Sequence, residues 1–121
     1  MKSYLCLHYH HGVLGEFVTE SVASRIAFNR VNKDPTELAT RERLIQAVPE
    51  ELLTPLLLEA REAWEAREEA WGEALEAWKK AREAWEKAWE KAQPDLIALH
   101  AKLCKTDCPW DGKTIFPPKP I

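Results

Sequence analysis

The residues best suited to chemistry lie near the end of the chain, where histidine and cysteine recur at short spacing. His100 and Cys104 are four positions apart, which places both side chains on one face of a helix, and Cys108 opens the motif Cys-Pro-Trp-Asp-Gly. Imidazole and thiolate are preferred zinc ligands, and proline and glycine shape the tight turns of zinc knuckles, which this segment resembles in part. His100, Cys104 and Cys108 are therefore candidate ligands for zinc, and no other cofactor is expected.

A tetrahedral site needs a fourth ligand, and the sequence leaves its identity open. Asp111 stands where a zinc knuckle carries its second cysteine, and Asp107 is close by. Cys6, His8 and His10 are candidates from the other end of the chain. They alternate along the first strand, so their side chains are expected on one side of the hairpin.

The tail cysteines are also compatible with two states that involve no metal. Cys104 and Cys108 fit small buried residues beside a structural Trp110, or a disulfide in an oxidising compartment. The chain has 3 cysteines, an odd number that does not suggest a disulfide framework.

Composition limits the classes of function. The chain has 121 residues and a formal net charge of -3, which gives no general attraction to nucleic acid or to anionic lipid. No apolar run is long enough to cross a bilayer, so a cytoplasmic location and no membrane partner are expected. Glycine-rich phosphate loops, serine-centred elbows and HExxH helices do not occur, and a noncatalytic protein is predicted.

The first part of the chain predicts a small α+β unit. Alternating residues from Lys2 to Tyr9, followed by the turn-like His11-Gly12, indicate a β-hairpin. Two short helices follow, the first with Thr19 as a candidate N-cap and the second opened by Asp34-Pro35.

A long helix is predicted next. Thr54-Pro55 is typical of a helix start, and Pro94 either ends this helix or kinks it into a short C-terminal helix. The chain then becomes extended, although residues 114–116 are suited to a short strand beside the hairpin. The predicted fold is α+β, mostly α, in one domain. It comprises a head at residues 1–53, the long helix at 54–93, and a short helix and tail at 94–121 that pack on the head.

The long helix carries a seven-residue Ala/Trp repeat typical of a coiled coil. Its tryptophans form a ridge along one side, and its alanines form a shallow stripe beside them. The tryptophans are Trp64, Trp71, Trp78, Trp85 and Trp89, and the alanines are Ala70, Ala74, Ala77, Ala81, Ala84 and Ala88.

The ridge predicts association with another chain. An uninterrupted helix of this length would extend about 57 Å, whereas a compact chain of this size has a radius of gyration of about 14 Å. Part of the ridge would then overhang the head. A homodimer is favoured, and the acidic first half and slightly basic second half of the helix favour an antiparallel pair.

Three alternatives to a homodimer stay open. The ridge could be buried within one chain, or the helix could bind a groove on a different protein. The third alternative is a zinc-stabilised head that binds nucleic acid through Lys102, Lys105 and Lys113.

The second half of the chain resembles a group of small uncharacterised phage and bacterial proteins. The resemblance is carried by the heptads, by His100-Ala-Lys-Leu-Cys104, and by Cys108-Pro-Trp-Asp-Gly-Lys-Thr-Ile-Phe-Pro117. Those proteins have variable numbers of seven-residue helical repeats before a short cysteine-containing tail. The resemblance implies a repeat-built helix of adjustable length, and it implies no catalytic or binding residue.

Overall fold

A small antiparallel sheet forms one layer of the protein. The structure, a computed structural model, describes residues 2–71 and 74–117. Strands β1 (Tyr4–Leu7) and β2 (Gly15–Val18) form the predicted hairpin. A third strand, β3 (Gln46–Ala47), pairs with the other edge of β1 and gives the order β2-β1-β3. Residues 114–116 form no strand, and a single backbone bond, from Ile115 N to His11 O at 3.0 Å, joins them to the hairpin loop.

Two short helices follow the hairpin, as the sequence predicts, and lead to β3, which the sequence analysis does not predict. Helix α1 (Val22–Asn32) is capped by Ser21, whose side chain accepts a hydrogen bond from Ser24 N. The prediction that Thr19 caps this helix is wrong, because the chain is still extended at Ser21. Before helix α2 (Leu38–Leu44), a 3-10 turn at Pro35–Glu37 is capped by Asp34.

The prediction of one uninterrupted long helix is wrong. Helix α3 (Pro55–Ala70) and helix α4 (Leu75–Leu103) are separate, and the flanking residues Trp71 and Ala74 have extended backbones. Residues 72 and 73 of the predicted helix lie outside the described part of the chain, as do residues 118–121 of the predicted tail.

The two helices pack against each other as an antiparallel hairpin. Near the start of α3, Thr54 Oγ1 donates to Asp95 Oδ2 of α4 at 2.5 Å. Near its end, the ring centroid of Trp71 lies 5.6 Å from that of Trp78, close to the start of α4. The physical reason for the fold-back is burial, because a straight rod would expose apolar faces that the hairpin covers. Gly72 in the sequence also weakens a continuous helix, by about 1 kcal/mol relative to alanine.

The hydrophobic core lies between the sheet and this helical hairpin. Leu5, Leu7 and Phe17 contribute from the strands, and side chains of α3 and α4 close over them. The buried members from the helices and their connections are Val48, Leu53, Leu57, Ala60, Ala88, Ala92, Leu96 and Leu99. The opposite face of the sheet holds a smaller cluster around Cys6, Tyr9 and Ile45, with side chains of α1 packed on it.

Helix α4 passes through Pro94 without ending, so the predicted separate C-terminal helix is wrong. A proline inside a helix costs about 3 kcal/mol, because it removes a hydrogen bond and crowds the preceding turn. Ala92 and Leu96, on either side of Pro94, are both buried in the same core. Burial on both sides holds the helix together across the proline.

The tryptophans of the predicted ridge are divided between the core and the exposed end of the helical hairpin, near Trp71. Trp64, Trp85 and Trp89 are partly buried around Phe17, with ring centroids 6.3, 6.0 and 5.4 Å from its ring. Trp71 is 73% exposed. The alanines divide in the same way, because Ala70 and Ala88 are buried, Ala81 is half-buried, and Ala74, Ala77 and Ala84 are exposed.

The mostly α, α+β class predicted from the sequence is confirmed. In the described part of the chain, no helix combines the length and the apolar character needed to span a bilayer.

Candidate metal centre

Four potential metal ligands converge at one end of the core. His8, His100, Cys104 and Cys108 each offer one ligand atom, and these atoms all lie within 4.8 Å of one another. The Nε2 atoms of His8 and His100 are 3.0 Å apart. The sulfur atoms of Cys104 and Cys108 are each 3.4 Å from His8 Nε2, and Cys108 Sγ is 3.6 Å from His100 Nε2. His8 therefore contacts every other member of the cluster.

These distances match a tetrahedral zinc site. With Zn–N near 2.05 Å and Zn–S near 2.3 Å, tetrahedral geometry separates two nitrogens by about 3.3 Å, and a nitrogen from a sulfur by about 3.6 Å. The observed separations of 3.0 Å between nitrogens and 3.4 to 3.6 Å between nitrogen and sulfur are within a few tenths of an ångström of these values. The other two pairs of ligand atoms also lie within 4.8 Å, so side-chain movements of up to about 1 Å would let an ion bind all four atoms.

The backbone at His8 turns its ring toward α4. His8 follows the last residue of β1 and has a φ of 54°, in the left-handed region that non-glycine residues seldom adopt. Regular alternation would place its side chain with Cys6, on the side of α1. Instead the ring lies edge-on to His100, with centroids 4.9 Å apart. Such a conformation costs on the order of 1 kcal/mol and is often associated with a functional site.

The other three ligands come from the end of α4 and the turn after it. His100 lies in the last turn of the helix, and Cys104 is its C-cap, with an N–H that donates to His100 O. The chain then turns back, and Cys108 N donates to Lys105 O at 3.1 Å. An ion pair of 2.7 Å between Arg43 Nη1 and Asp107 Oδ1 ties this turn to the helix α2. The expected helical spacing of His100 and Cys104 is therefore combined with a turn that returns Cys108 to the same point.

Burial keeps both imidazoles in the neutral form that binds metals. Burial, and then the neighbouring His100, lower the pKa of His8 to about 4. Burial also lowers the pKa of His100. At neutral pH each ring therefore has a nitrogen lone pair free for a metal ion.

The thiols of the cluster differ from the third cysteine in their surroundings. Burial, and then the adjacent Cys108, raise the pKa of Cys104 to about 11, so binding of a metal ion would displace a proton. Cys104 and Cys108 are both partly exposed, whereas Cys6 has no exposed surface, and burial raises its pKa to about 12. Cys6 lies on the other face of the sheet and takes no part in the cluster.

The structure chooses between the predicted fourth ligands. His8 is in the cluster, and Asp111 is not. The carboxylate of Asp111 accepts hydrogen bonds of 2.9 Å from the N–H groups of Lys113 and Thr114, and these bonds lower its pKa. It shapes the turn at Gly112, whose φ of 100° suits glycine. The expectation that Cys6, His8 and His10 face one side is wrong, because the left-handed backbone of His8 turns its ring toward His100, whereas Cys6 packs on the α1 side of the sheet.

Sequence reasoning missed two features around His8. The ring of Trp110 packs against it, with centroids 5.8 Å apart, and so helps to enclose the cluster. The Nδ1 atom of His8 is buried and has no hydrogen-bond partner among the described residues. Metal-binding histidines usually donate their second N–H to an acceptor, so this ring is held by packing and backbone geometry instead. No motif in the sequence signals either feature.

The fold and the site define a class, namely a small α+β protein whose hairpin loop, helix end and tail turn bring together a Cys2His2 cluster that could bind a metal such as zinc. The chain matches no protein-family model, and neither curated proteins nor solved structures show significant similarity to it.

Proposed function

We propose that this protein is a noncatalytic zinc-binding protein, in which His8, His100, Cys104 and Cys108 hold one structural Zn²⁺. The observation that carries the proposal is the convergence of four ligand atoms within 4.8 Å of one another. Two thiolates and two imidazoles are a common ligand set of structural zinc sites. Two thiolate charges also balance the charge of the ion, which reduces the cost of placing it in a partly buried position.

The position of the cluster favours a structural role. The hairpin loop and the tail turn have little regular structure, and in the described residues one backbone bond, from Ile115 to His11, joins their main chains. An ion bound by His8 and Cys108 would cross-link segments separated by 100 positions in the sequence. Closing so long a loop restricts the unfolded chain strongly, and metal binding to the folded state adds to its stability.

A closed ligand set also supports a noncatalytic role. Catalytic zinc sites keep one coordination position open for water or substrate, whereas four protein ligands fill a tetrahedral ion. The proposal places the protein in a reducing compartment such as the cytoplasm, where thiols remain available to the metal.

Metal content is the direct test of the proposal. Protein purified without chelator should contain about one zinc per chain by elemental analysis, as expected for one four-ligand site. Cobalt(II) added to the metal-free chain should produce thiolate-to-metal absorption and the visible bands of a tetrahedral ion. A Cys6→Ser variant, which changes a cysteine outside the cluster, should keep both properties. If cobalt(II) added to the metal-free chain gave the spectrum of an octahedral ion instead, the proposal would be refuted.

A second candidate function, self-association, is supported by the exposed end of the helical hairpin. Trp71 is 73% exposed and Leu75 is 63% exposed, and the exposed alanines Ala74 and Ala77 lie beside them. Large apolar side chains grouped at one end of a molecule are typical of association surfaces. This surface is smaller than a ridge along a single rod, because Trp64, Trp85 and Trp89 pack on the core. A weak homodimer that forms through the exposed end of the helical hairpin is therefore proposed in place of a long coiled coil.

Solution mass at several concentrations tests self-association. Light scattering coupled to size exclusion should show the apparent mass rising with protein concentration. A Trp71→Glu variant should remain monomeric, whereas an Ala84→Glu variant, which changes an exposed residue farther along α4, should behave as the parent chain. A parent chain that stays monomeric at all concentrations would exclude the homodimer and favour a different protein as the partner.

A further inference from the structure

We infer that the metal centre is also a redox switch, in which a hydroperoxide joins Cys104 and Cys108 in a disulfide and thereby releases the metal and the contact with His8. This inference rests on the proposed zinc site and adds a mode of regulation to it. It is carried by the placement of the two sulfur atoms, by the partial exposure of both cysteines, and by the positions of the four ligands in the sequence.

The two cysteines are placed to form a disulfide. Their sulfur atoms lie within 4.8 Å of each other, so modest movement brings them to bonding distance. Cys104 is at the end of α4 with an extended backbone, and Cys108 follows an exposed turn of residues 105–107. Neither cysteine lies within a helix or strand, so local adjustment need not break a regular element.

The two cysteines also differ from Cys6 in their exposure. Cys104 and Cys108 are partly exposed, whereas Cys6 is fully buried. Metal-bound thiolates are deprotonated and remain nucleophilic, so binding of zinc does not by itself protect them.

The reaction balances with a hydroperoxide as the oxidant. One thiolate attacks the terminal oxygen of the peroxide, and the O–O bond breaks to give a sulfenic acid and an alcohol, or water when the oxidant is hydrogen peroxide. The second thiolate attacks the sulfenic sulfur, and the hydroxyl group leaves as water after taking up a proton. In total, two thiolates lose two electrons, the peroxide gains them and two protons, and Zn²⁺ is released because both anionic ligands are consumed.

The structural effect of oxidation depends on the position of each ligand in the sequence. Cys104 and Cys108 belong to one local segment, so their disulfide would close a short loop that lies wholly at the end of α4. The metal, in contrast, also holds His8, which is 96 positions from Cys104. Oxidation would therefore replace a long-range cross-link with a local one and remove the metal-mediated link between the hairpin loop and the end of α4.

The test uses the full chain loaded with zinc and treated with a small molar excess of hydrogen peroxide. We expect release of the bound zinc, measured with a colorimetric chelator, together with a Cys104–Cys108 disulfide in peptide maps. A thiol reductant and added zinc should restore the starting state. The Cys6→Ser variant should respond as the parent chain does. The thermal midpoint of the oxidised chain should fall below that of the zinc-loaded chain, because oxidation removes the binding of the metal to the folded state and adds only a short disulfide loop.

The outcomes separate this inference from the proposed function. A chain that binds no zinc before oxidation would refute the proposed function itself. A chain that binds zinc and keeps it in peroxide would overturn the switch alone. Zinc release with irreversible oxidation of the thiols, and no disulfide, would also overturn the switch, since a reductant could not reverse it.

Discussion

The Nε2 atoms of His8 and His100 lie 3.0 Å apart, although 92 positions separate the two residues in the sequence. In the metal-free protein, the Nε2–H of one ring must donate a hydrogen bond to the Nε2 lone pair of the other, because two lone pairs facing each other repel. A metal ion between them would instead accept both lone pairs and would bring in the two thiolates. Much of the behaviour expected of this protein follows from that pair.

Removal of the His8 imidazole should sharply reduce metal affinity. A His8→Asn variant suits this test because asparagine tolerates the left-handed backbone that His8 adopts, so loss of the ligand is separated from backbone strain. Loss of a supporting contact around a metal typically costs 10- to 100-fold in affinity, and loss of a direct ligand should exceed about 100-fold. Competition with a chromophoric zinc chelator measures the change. The matched variant His10→Asn, at an exposed position outside the cluster, should retain the parent affinity.

The metal-free protein should become less stable as the pH falls from about 6.5 to about 4. Burial lowers the pKa of His8 from 6.5 to about 4, so in this interval the unfolded chain binds a proton that the folded chain excludes. The contribution of His8 to the free energy of unfolding is fully present above pH 6.5 and is lost as the pH falls to its pKa in the folded chain, about 4. The lowered pKa of His100 acts in the same direction.

Urea unfolding in the presence of chelator, repeated across this range, measures the dependence. The His8→Asn variant lacks one of the two titrating groups and should show a shallower decrease between pH 6.5 and pH 5. Equal slopes for the parent chain and the variant would show that His8 does not titrate as its burial implies.

Addition of a methyl group at Gly15 should destabilise the core. A Cβ atom at Gly15 would lie 2.7 Å from Leu96 Cδ1 and 3.3 Å from Leu7 Cδ2, and both leucines are almost fully buried. Forcing extra volume into a packed core typically costs about 1 to 3 kcal/mol. Gly12→Ala is the matched control, since the nearest atom to its Cβ would be Lys113 O at an ordinary 3.6 Å. Chemical denaturation of both variants should show a clear loss of unfolding free energy for Gly15→Ala only.

The tryptophans should differ in their contribution to stability according to their position along the helical hairpin. Trp71 is 73% exposed, so Trp71→Ser should change the unfolding free energy by less than about 0.5 kcal/mol. Trp85 stacks on Trp89 with ring centroids 5.1 Å apart and also contacts Phe17, so Trp85→Ser should cost about 2 kcal/mol or more. The loss of stability in each variant is measured by thermal unfolding at low protein concentration, where association is suppressed. Similar losses for the two variants would contradict the division of the ridge described above.

Local sequence signals predicted the elements better than their arrangement. The hairpin, the Asp34-Pro35 start and the Thr54-Pro55 start depend on contacts within a few residues, and they are present in the structure. The single rod was a wrong prediction because a heptad pattern gives the same periodicity to a long helix and to two helices that fold back. Their pairing depends on long-range burial around Phe17, which a local pattern does not contain.

The sequence by itself determined the α+β class and identified His100, Cys104 and Cys108 as possible ligands, because residue type and helical spacing are local properties. Only the tertiary structure selected His8 over Asp111 as the fourth member of the cluster, divided the tryptophans between core and surface, and left Cys6 on the opposite face of the sheet. These outcomes depend on how distant segments pack and on one left-handed residue at the end of β1, since burial and backbone reversal bring together groups that the sequence keeps apart.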